Sequence, residues 1–125
     1  MHSTSDMREY VKAFKALSDE TRLRIMNLLL ERECCVCEVM QALDISQTRA
    51  SRNLTALYDA GFLRLRKDGL WSFYSLDRDR MRGYMSDLVD AVRGALAGNE
   101  EAARDLERLS RAERVGPRCA EKRRR

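Results

Sequence analysis

The sequence has no long apolar segment and only one histidine. No uninterrupted apolar run exceeds a few residues, which excludes a membrane-spanning helix, and the first residues lack the apolar core of a signal peptide. We therefore expect a cytoplasmic protein. The single histidine, His2, offers no base to a Ser or Cys nucleophile, and the sequence has neither a phosphate-binding loop nor a plausible pair of catalytic carboxylates. These absences predict a protein that is not an enzyme.

Charge is unevenly distributed along the 125 residues, a length that suits one domain. The formal net charge is +4, but residues 46–67 carry five basic groups and one acidic group, and residues 111–125 carry seven and two. A basic tail is commonly only solvated and disordered. The internal basic stretch is therefore the better indication of a nucleic-acid partner.

Apolar residues spaced three and four apart predict four helices before residue 61 and a long fifth helix after residue 78. We expect Ser18 to cap the second helix, the third to begin at or just after the cysteines, and the fourth to run from the cap Ser46 to Gly61. FLRLR and WSFYSL flank an Asp68-Gly69 turn and predict a β-hairpin. This order indicates a mainly α fold with a β-hairpin wing (α+β), a winged helix-turn-helix.

The fifth predicted helix carries more apolar surface than one small domain needs. Its stripe consists of Met81, Tyr84, Met85, Leu88, Val89, Val92 and Leu96. We therefore expect a homodimer that forms through the terminal helices. We assign residues 5–97 to a winged helix-turn-helix DNA-binding and dimerisation domain. Residues 98–125 are expected to form a C-terminal helical extension with a basic, disordered tail.

The start of the fourth helix directs polar side chains away from its core face. Gln and Arg can bond base edges, Ser and Thr can hold phosphates, and basic residues on the hairpin can contact the DNA backbone nearby. The predicted DNA contacts are Ser46, Gln47, Thr48, Arg49, Ser51, Arg52, Arg64, Arg66 and Lys67. The alternative is an ordinary solvated helix, which the order of helix, tight turn, capped polar helix and basic hairpin argues against.

Three of the four cysteines, Cys34, Cys35 and Cys37, lie within four positions. In a reducing compartment such a cluster is more often a metal or redox site than a disulfide, and adjacent cysteines pair only with strain. On a helical wheel the three fall beside or behind the apolar face of the third helix, so we expect them not to fill the core. The start of that helix should also lower the thiol pKa values, although neighbouring glutamates oppose this.

Thiolates prefer soft ions, so the cluster suits trivalent arsenic or antimony, or a thiophilic divalent ion such as cadmium or lead. On a continuous helix Cys35 and Cys37 would lie about 200° apart, too far for one small ion to reach both. Binding should therefore unwind the start of the third helix, which supports the fourth.

Roughly residues 8–97 resemble the ArsR family of metal-responsive winged-helix repressors. The motifs that carry the resemblance are ALSDETRLRIMNLLL, CVCEV, SQTRASRNLTALYDAGFL and LRKDGLWSFYSL. They look like the family's second helix, metal-binding box, recognition helix and wing. The resemblance implies a homodimer that binds an inverted-repeat DNA operator without a cofactor and releases it when metal binds. Distortion of the third helix would then move the dimer out of its DNA-binding geometry.

Arsenic-responsive members of the family carry a CVC pair, matched here by Cys35 and Cys37, often with a third cysteine where this chain has Met40. The third ligand is then Cys34, which we favour, or Cys119. The family's cadmium and lead sensors add an N-terminal cysteine, and none precedes Cys34, which favours arsenite or antimonite. Zinc-responsive members use Asp and His ligands on the last helix. Asp87 is available there, but no histidine is.

Other interpretations of the thiols remain open at this point. A cadmium- or lead-responsive repressor would use Cys119 as an extra ligand, and a redox-sensing repressor would respond to disulfide formation. Four cysteines could instead hold a structural zinc ion. Cys34 and Cys37 also form a CxxC, but the strand that precedes this motif in thiol-disulfide enzymes is not predicted here.

Overall fold

The protein is described by a computed structural model that covers residues 6–115, so His2 and Cys119 lie outside the described residues. The elements, in chain order, are α1 (Met7–Leu17), α2 (Glu20–Glu31), β1 (Cys34–Cys35), α3 (Val36–Leu43), α4 (Gln47–Asp59), β2 (Leu63–Asp68), β3 (Trp71–Leu76), α5 (Gly83–Leu96) and α6 (Glu100–Arg111). None of the helices in this range is both long and apolar enough to cross a bilayer.

Side-chain caps define the helix starts, and one of them differs from the prediction. Asp19, not Ser18, caps α2, with its Oδ2 accepting a hydrogen bond from the Arg22 amide at 3.0 Å. The Ser18 hydroxyl instead donates to the Phe14 carbonyl at 2.8 Å, because Ser18 still belongs to the end of α1. The Ser46 cap of α4 is confirmed by its 3.1 Å hydrogen bond from the Arg49 amide.

Helices α3 and α4 form the helix-turn-helix, joined through Asp44 in the left-handed region at φ 54°. The strands make one antiparallel sheet in the order β1-β3-β2. Asp68 pairs with Trp71, so the hairpin loop is Gly69 and Leu70, one residue later than predicted. Gly69 has φ +63°, which favours glycine in a two-residue hairpin loop. The predicted winged helix-turn-helix is confirmed.

Strand β1 was not predicted, and it connects the cysteines to the wing. Cys34 pairs with Tyr74 and Cys35 with Phe73, both on β3. A two-residue strand is too short to show an alternating pattern in the sequence. Its partner strand, almost 40 residues further along the chain, is not indicated by any local pattern either. The segment before α3 is therefore part of the same sheet as the hairpin.

Helix α6 packs on α2 and α3, and a buried ion pair fixes it there. The Asp105 carboxylate is fully buried and accepts two hydrogen bonds from Arg24 on α2, both at 2.8 Å. Arg108 donates to the same carboxylate at 2.7 Å and to the Ala42 carbonyl, at the end of α3, also at 2.7 Å. The chain that follows α6 consequently runs along α3 toward the cysteines.

Candidate metal site and DNA-binding face

The cysteine thiols are buried, which contradicts the prediction that they do not fill the core. The exposed fractions of Cys34, Cys35 and Cys37 are 0%, 3% and 2%, and all three belong to the main apolar core. The prediction was wrong because it assumed one apolar face for α3, whereas six of the eight residues of this helix are buried. Helix α6 and the residues after it cover another side of α3, and β3 covers the segment before it.

Burial also raises two thiol pKa values, where the sequence predicted lower ones. The pKa of Cys34 is raised to about 12, chiefly by burial and then by the charge of Glu38. The pKa of Cys35 is raised to about 11, again chiefly by burial. Loss of hydration disfavours a thiolate more than the start of a short helix favours it. At neutral pH both groups are thiols in this conformation.

The three cysteines occupy three different backbone settings. Cys34 lies in β1, with its Sγ 3.5 Å from the Arg32 carbonyl oxygen. Cys35 ends β1 and is the N-cap of α3, and Cys37 lies inside the first turn. Adjacent side chains of an extended strand point to opposite faces. Within residues 6–115, no three Cys, His, Asp or Glu side chains are grouped closely enough to hold a metal ion.

A buried carboxylate, Glu38, organises the start of α3. Its Oε1 accepts a hydrogen bond from the Cys35 amide at 2.9 Å, and its Oε2 contacts Arg32 at 2.9 Å and Arg114 at 3.2 Å. Burial alone would raise the pKa of Glu38, but the Cys35 amide and the two guanidinium groups lower it overall. We did not predict this role, although an acidic residue three positions after an N-cap is a known capping signal.

The chain after α6 passes directly over Cys37. The Cys37 Sγ lies 3.8 Å from the Glu113 carbonyl oxygen, to which it donates. The Gln41 side-chain amide donates to that carbonyl at 2.7 Å and to the Cys37 Sγ at 3.1 Å, and its oxygen accepts from the Glu113 amide at 3.0 Å. We call residues 112–115 the strap. Its contacts were not predictable from the basic composition of the tail.

The predicted DNA-reading residues lie at the exposed start of α4. Ser46, Gln47, Thr48, Arg49 and Arg52 are exposed, and Ser51 is partly exposed. Ala50, Leu54 and Leu57 are buried on the opposite face, as predicted.

Contacts from α2 hold α4 in place. Arg49 donates to the Thr21 hydroxyl at 2.9 Å, and Arg22 donates to the Asn53 side chain at 3.1 Å. Arg49 thus has a structural contact in addition to its predicted role, whereas Arg52 lies on the exposed surface.

Two of the three predicted wing residues form ion pairs within the chain. Arg64 contacts Asp77 at 3.2 Å and Asp79 at 3.5 Å. Arg66 donates to both carboxylate oxygens of Glu33, at 2.8 and 3.2 Å, and its guanidinium lies 4.5 Å from the centre of the Phe73 ring. The third residue, Lys67, is exposed.

The Arg66–Glu33 pair joins the wing to the residue that precedes the cysteine cluster. Its hydrogen bonds lower the pKa of Glu33, and the carboxylate is ionised at neutral pH. Together with the β1–β3 pairing, this contact connects the segment that carries the thiols to one of the elements predicted to contact DNA.

Comparison with known proteins agrees with this architecture. Residues 19–64 match the family described as bacterial regulatory protein, arsR family. The chain is 35% identical over 82 residues to the arsenical resistance operon repressor of Bacillus subtilis, an alignment that covers 65% of this chain and 78% of that protein. It is also 41% identical over 75 residues to a cadmium resistance transcriptional regulatory protein CadC homolog from Staphylococcus aureus, covering 59% and 62%.

A solved structure shares the fold as well. It is the homodimeric winged helix-turn-helix DNA-binding domain of a possible ArsR-family transcriptional regulator from Mycobacterium bovis. The TM-score is 0.62 and the sequence identity 26%, over 80% of this chain and 94% of that domain. These similarities confirm the predictions of a DNA-binding regulator and of a protein that is not an enzyme. The chain belongs to the arsR family of bacterial regulatory proteins and is a winged helix-turn-helix transcriptional repressor.

Proposed function

We propose that this repressor binds an inverted-repeat operator as a homodimer in the cytoplasm and releases it when trivalent arsenic or antimony binds Cys34, Cys35 and Cys37. The observation that carries the proposal is the position of the thiols at the junction of β1 and α3. Strand β1 pairs with β3 of the wing, and helix α3 packs against α4. A change in its backbone therefore reaches both elements expected to touch DNA.

The charge and exposure of α4 support the binding of DNA by this face. The first turn of α4 presents short polar side chains beside Arg49 and Arg52, without an acidic residue in that turn. Gln and Arg have the donor and acceptor geometry that reads adenine and guanine in the major groove. Lys67 on the wing supplies a cation for nearby phosphates. Helix and wing would then contact the same stretch of duplex.

An exposed apolar surface on α1 supports dimerisation. The exposed fractions of Met7, Val11 and Phe14 are 70%, 42% and 52%. They border α5, where Tyr84 packs edge-to-face on Tyr10 at 5.0 Å between ring centres. Contiguous exposed apolar side chains commonly mark a protein interface. A two-fold dimer through this face would present two α4 helices to two operator half-sites.

The donor set fits a soft trivalent ion chemically, although the thiols do not form a ready site in this conformation. An ion that bonds to both Cys35 and Cys37 has to bring together an N-cap side chain and a first-turn side chain. This requires the start of α3 to unwind and breaks the Glu38 capping bond. The ion would shift the equilibrium away from the DNA-binding form only by the difference between its affinities for the distorted form and for the DNA-binding form.

A fluorescence anisotropy titration tests the proposal. Reduced protein is bound to labelled DNA from upstream of its own gene and titrated separately with arsenite, antimonite, cadmium, zinc and diamide. We expect arsenite and antimonite to release the DNA, and Cys35→Ser to abolish release while leaving DNA affinity intact. Cys119→Ser is the matched control, because it removes the thiol outside the cluster.

The other outcomes contradict parts of the proposal in different ways. Release by cadmium alone, lost in Cys119→Ser, would favour the cadmium- or lead-responsive alternative, which the Staphylococcus aureus relative makes the strongest competitor. Release by diamide alone would indicate a thiol redox switch. Equal DNA affinity with and without saturating arsenite would refute a response to arsenic altogether.

A further inference from the structure

The route by which an ion reaches Cys37 is closed in this structure. The strap carries the Glu113 carbonyl oxygen to 3.8 Å from the Cys37 Sγ, and the Gln41 side-chain amide donates to both atoms from one side, at 2.7 and 3.1 Å. The Cys37 side chain is almost completely inaccessible, with an exposed fraction of 2% for the residue. A soft ion therefore has no direct path to this thiol while the strap is in place.

Four contacts attach the strap to the surroundings of the thiols. Gln41 exchanges two hydrogen bonds with the backbone of Glu113, at 2.7 and 3.0 Å. Arg114 forms an ion pair with Glu38 at 3.2 Å, and its guanidinium lies 4.6 Å from the centre of the Phe73 ring. The contacts thus reach α3 and β3, the two elements that enclose the cysteines.

We propose that the strap covers Cys37 and has to detach before a thiophilic ion can bind the three thiols. The inference rests on the proposed function for the identity of the ion, but the cover itself is a property of the described chain. Helix α6 need not move, because Asp105, Arg24 and Arg108 hold it to α2 and α3. Opening is limited to the short segment after Arg111.

The strap is well suited to open without global unfolding. Its backbone hydrogen bonds to Gln41 are solvent-exposed, and it has no regular secondary structure. Segments with few buried apolar contacts and exposed hydrogen bonds open locally at a small fraction of the global unfolding free energy. The open fraction then limits both the rate and the apparent affinity of ion binding.

The first test measures the reaction of the thiols with the disulfide reagent DTNB. A thiolate attacks the reagent disulfide, forms a mixed disulfide and releases one coloured thionitrobenzoate, so the reagent itself is the oxidant. Reduced, DNA-free protein carrying Cys119→Ser is used, so that only the cluster reacts. We expect Arg114→Ala and Gln41→Ala each to raise the rate about tenfold, because each removes hydrogen bonds that hold the strap closed.

Arg111→Ala is the matched control, because it also removes an arginine near the strap. The Arg111 side chain is exposed and pairs only weakly with Glu107, at 3.7 Å, so its loss should leave the DTNB rate unchanged. Circular dichroism and thermal unfolding confirm that each variant is folded. Equal DTNB rates in Arg114→Ala, Gln41→Ala and the parent would overturn the proposal, since the thiols would then be reached by another route.

The second test uses the reciprocal effect of the ion on the strap. If the strap detaches when the ion binds, saturating arsenite should increase the rate of trypsin cleavage after Arg114, measured by mass spectrometry. Unchanged cleavage in protein whose thiols have demonstrably bound arsenite would refute the cover. Failure of arsenite to bind at all would instead refute the proposed function, while the DTNB rates would still decide whether the strap covers the thiols.

Discussion

Replacement of Asp105 by Ala should reveal how much of the fold depends on the docking of α6. The carboxylate is fully buried and accepts three charge-assisted hydrogen bonds, two from Arg24 and one from Arg108. Loss of one partner from a buried ion pair typically costs about 3–5 kcal/mol, because the remaining charge stays desolvated. Arg24 and Arg108 retain partial exposure, 17% and 37%, and can recover some hydration. We therefore expect Asp105→Ala to lower the free energy of unfolding by about 2–4 kcal/mol.

Urea denaturation followed by circular dichroism measures this loss, at one fixed protein concentration because a dimer unfolds with concentration dependence. Glu107→Ala is the control on the same helix, since its pair with Arg111 is exposed on both sides and should contribute less than about 0.5 kcal/mol. Asp105→Ala should also raise the DTNB rate of the thiols, because the strap follows α6. A stability within about 0.5 kcal/mol of the parent would refute the assignment of α6 as a docked element.

Three further predictions concern DNA and the dimer. Arg52→Ala should weaken operator binding about tenfold or more in an anisotropy titration, as expected for loss of a base or phosphate contact, and Glu107→Ala should not. Glu33→Gln should weaken the hydrogen bonds between residue 33 and Arg66 and raise DNA affinity severalfold at low salt, with a smaller difference at high salt. An unchanged affinity would contradict a role for Arg66 in DNA binding. Phe14→Asp should shift the protein toward monomers in analytical ultracentrifugation, and an unaltered dimer would exclude the α1 face as the interface.

The sequence was sufficient for the elements whose signals are local. Ser46 and Gly61 bracket α4 because a hydroxyl cap and a positive φ act within one turn of the helix end. The hairpin was predictable for the same reason, apart from a shift of one residue in its loop. Ser18 was misassigned because two adjacent polar residues, Ser18 and Asp19, are both good caps, and the preceding helix extends far enough to include the first in its end.

The environment of the thiols depends on contacts that no local pattern contains. Cys37 is covered by Glu113, which lies 76 positions later, and Cys34 pairs with Tyr74 across 40 positions. A helical wheel predicts one buried face for α3, but both α4 and α6 pack on this helix and six of its eight residues are buried. The predicted lowering of the pKa was wrong for Cys34 and Cys35, because that effect requires a thiol that remains hydrated enough to ionise.

Burial of the thiols and a response to a thiophilic ion are compatible if the closed and open forms are in equilibrium. In the closed form Cys34 and Cys35 have pKa values raised to about 12 and 11. The ion would bind only molecules whose strap is open, so its apparent affinity equals the intrinsic affinity multiplied by the open fraction. A strap that is open in about one molecule in a hundred would raise the concentration needed for release about a hundredfold. The strength of a few contacts, chiefly those of Gln41 and Arg114, would then set the ion concentration at which repression ends.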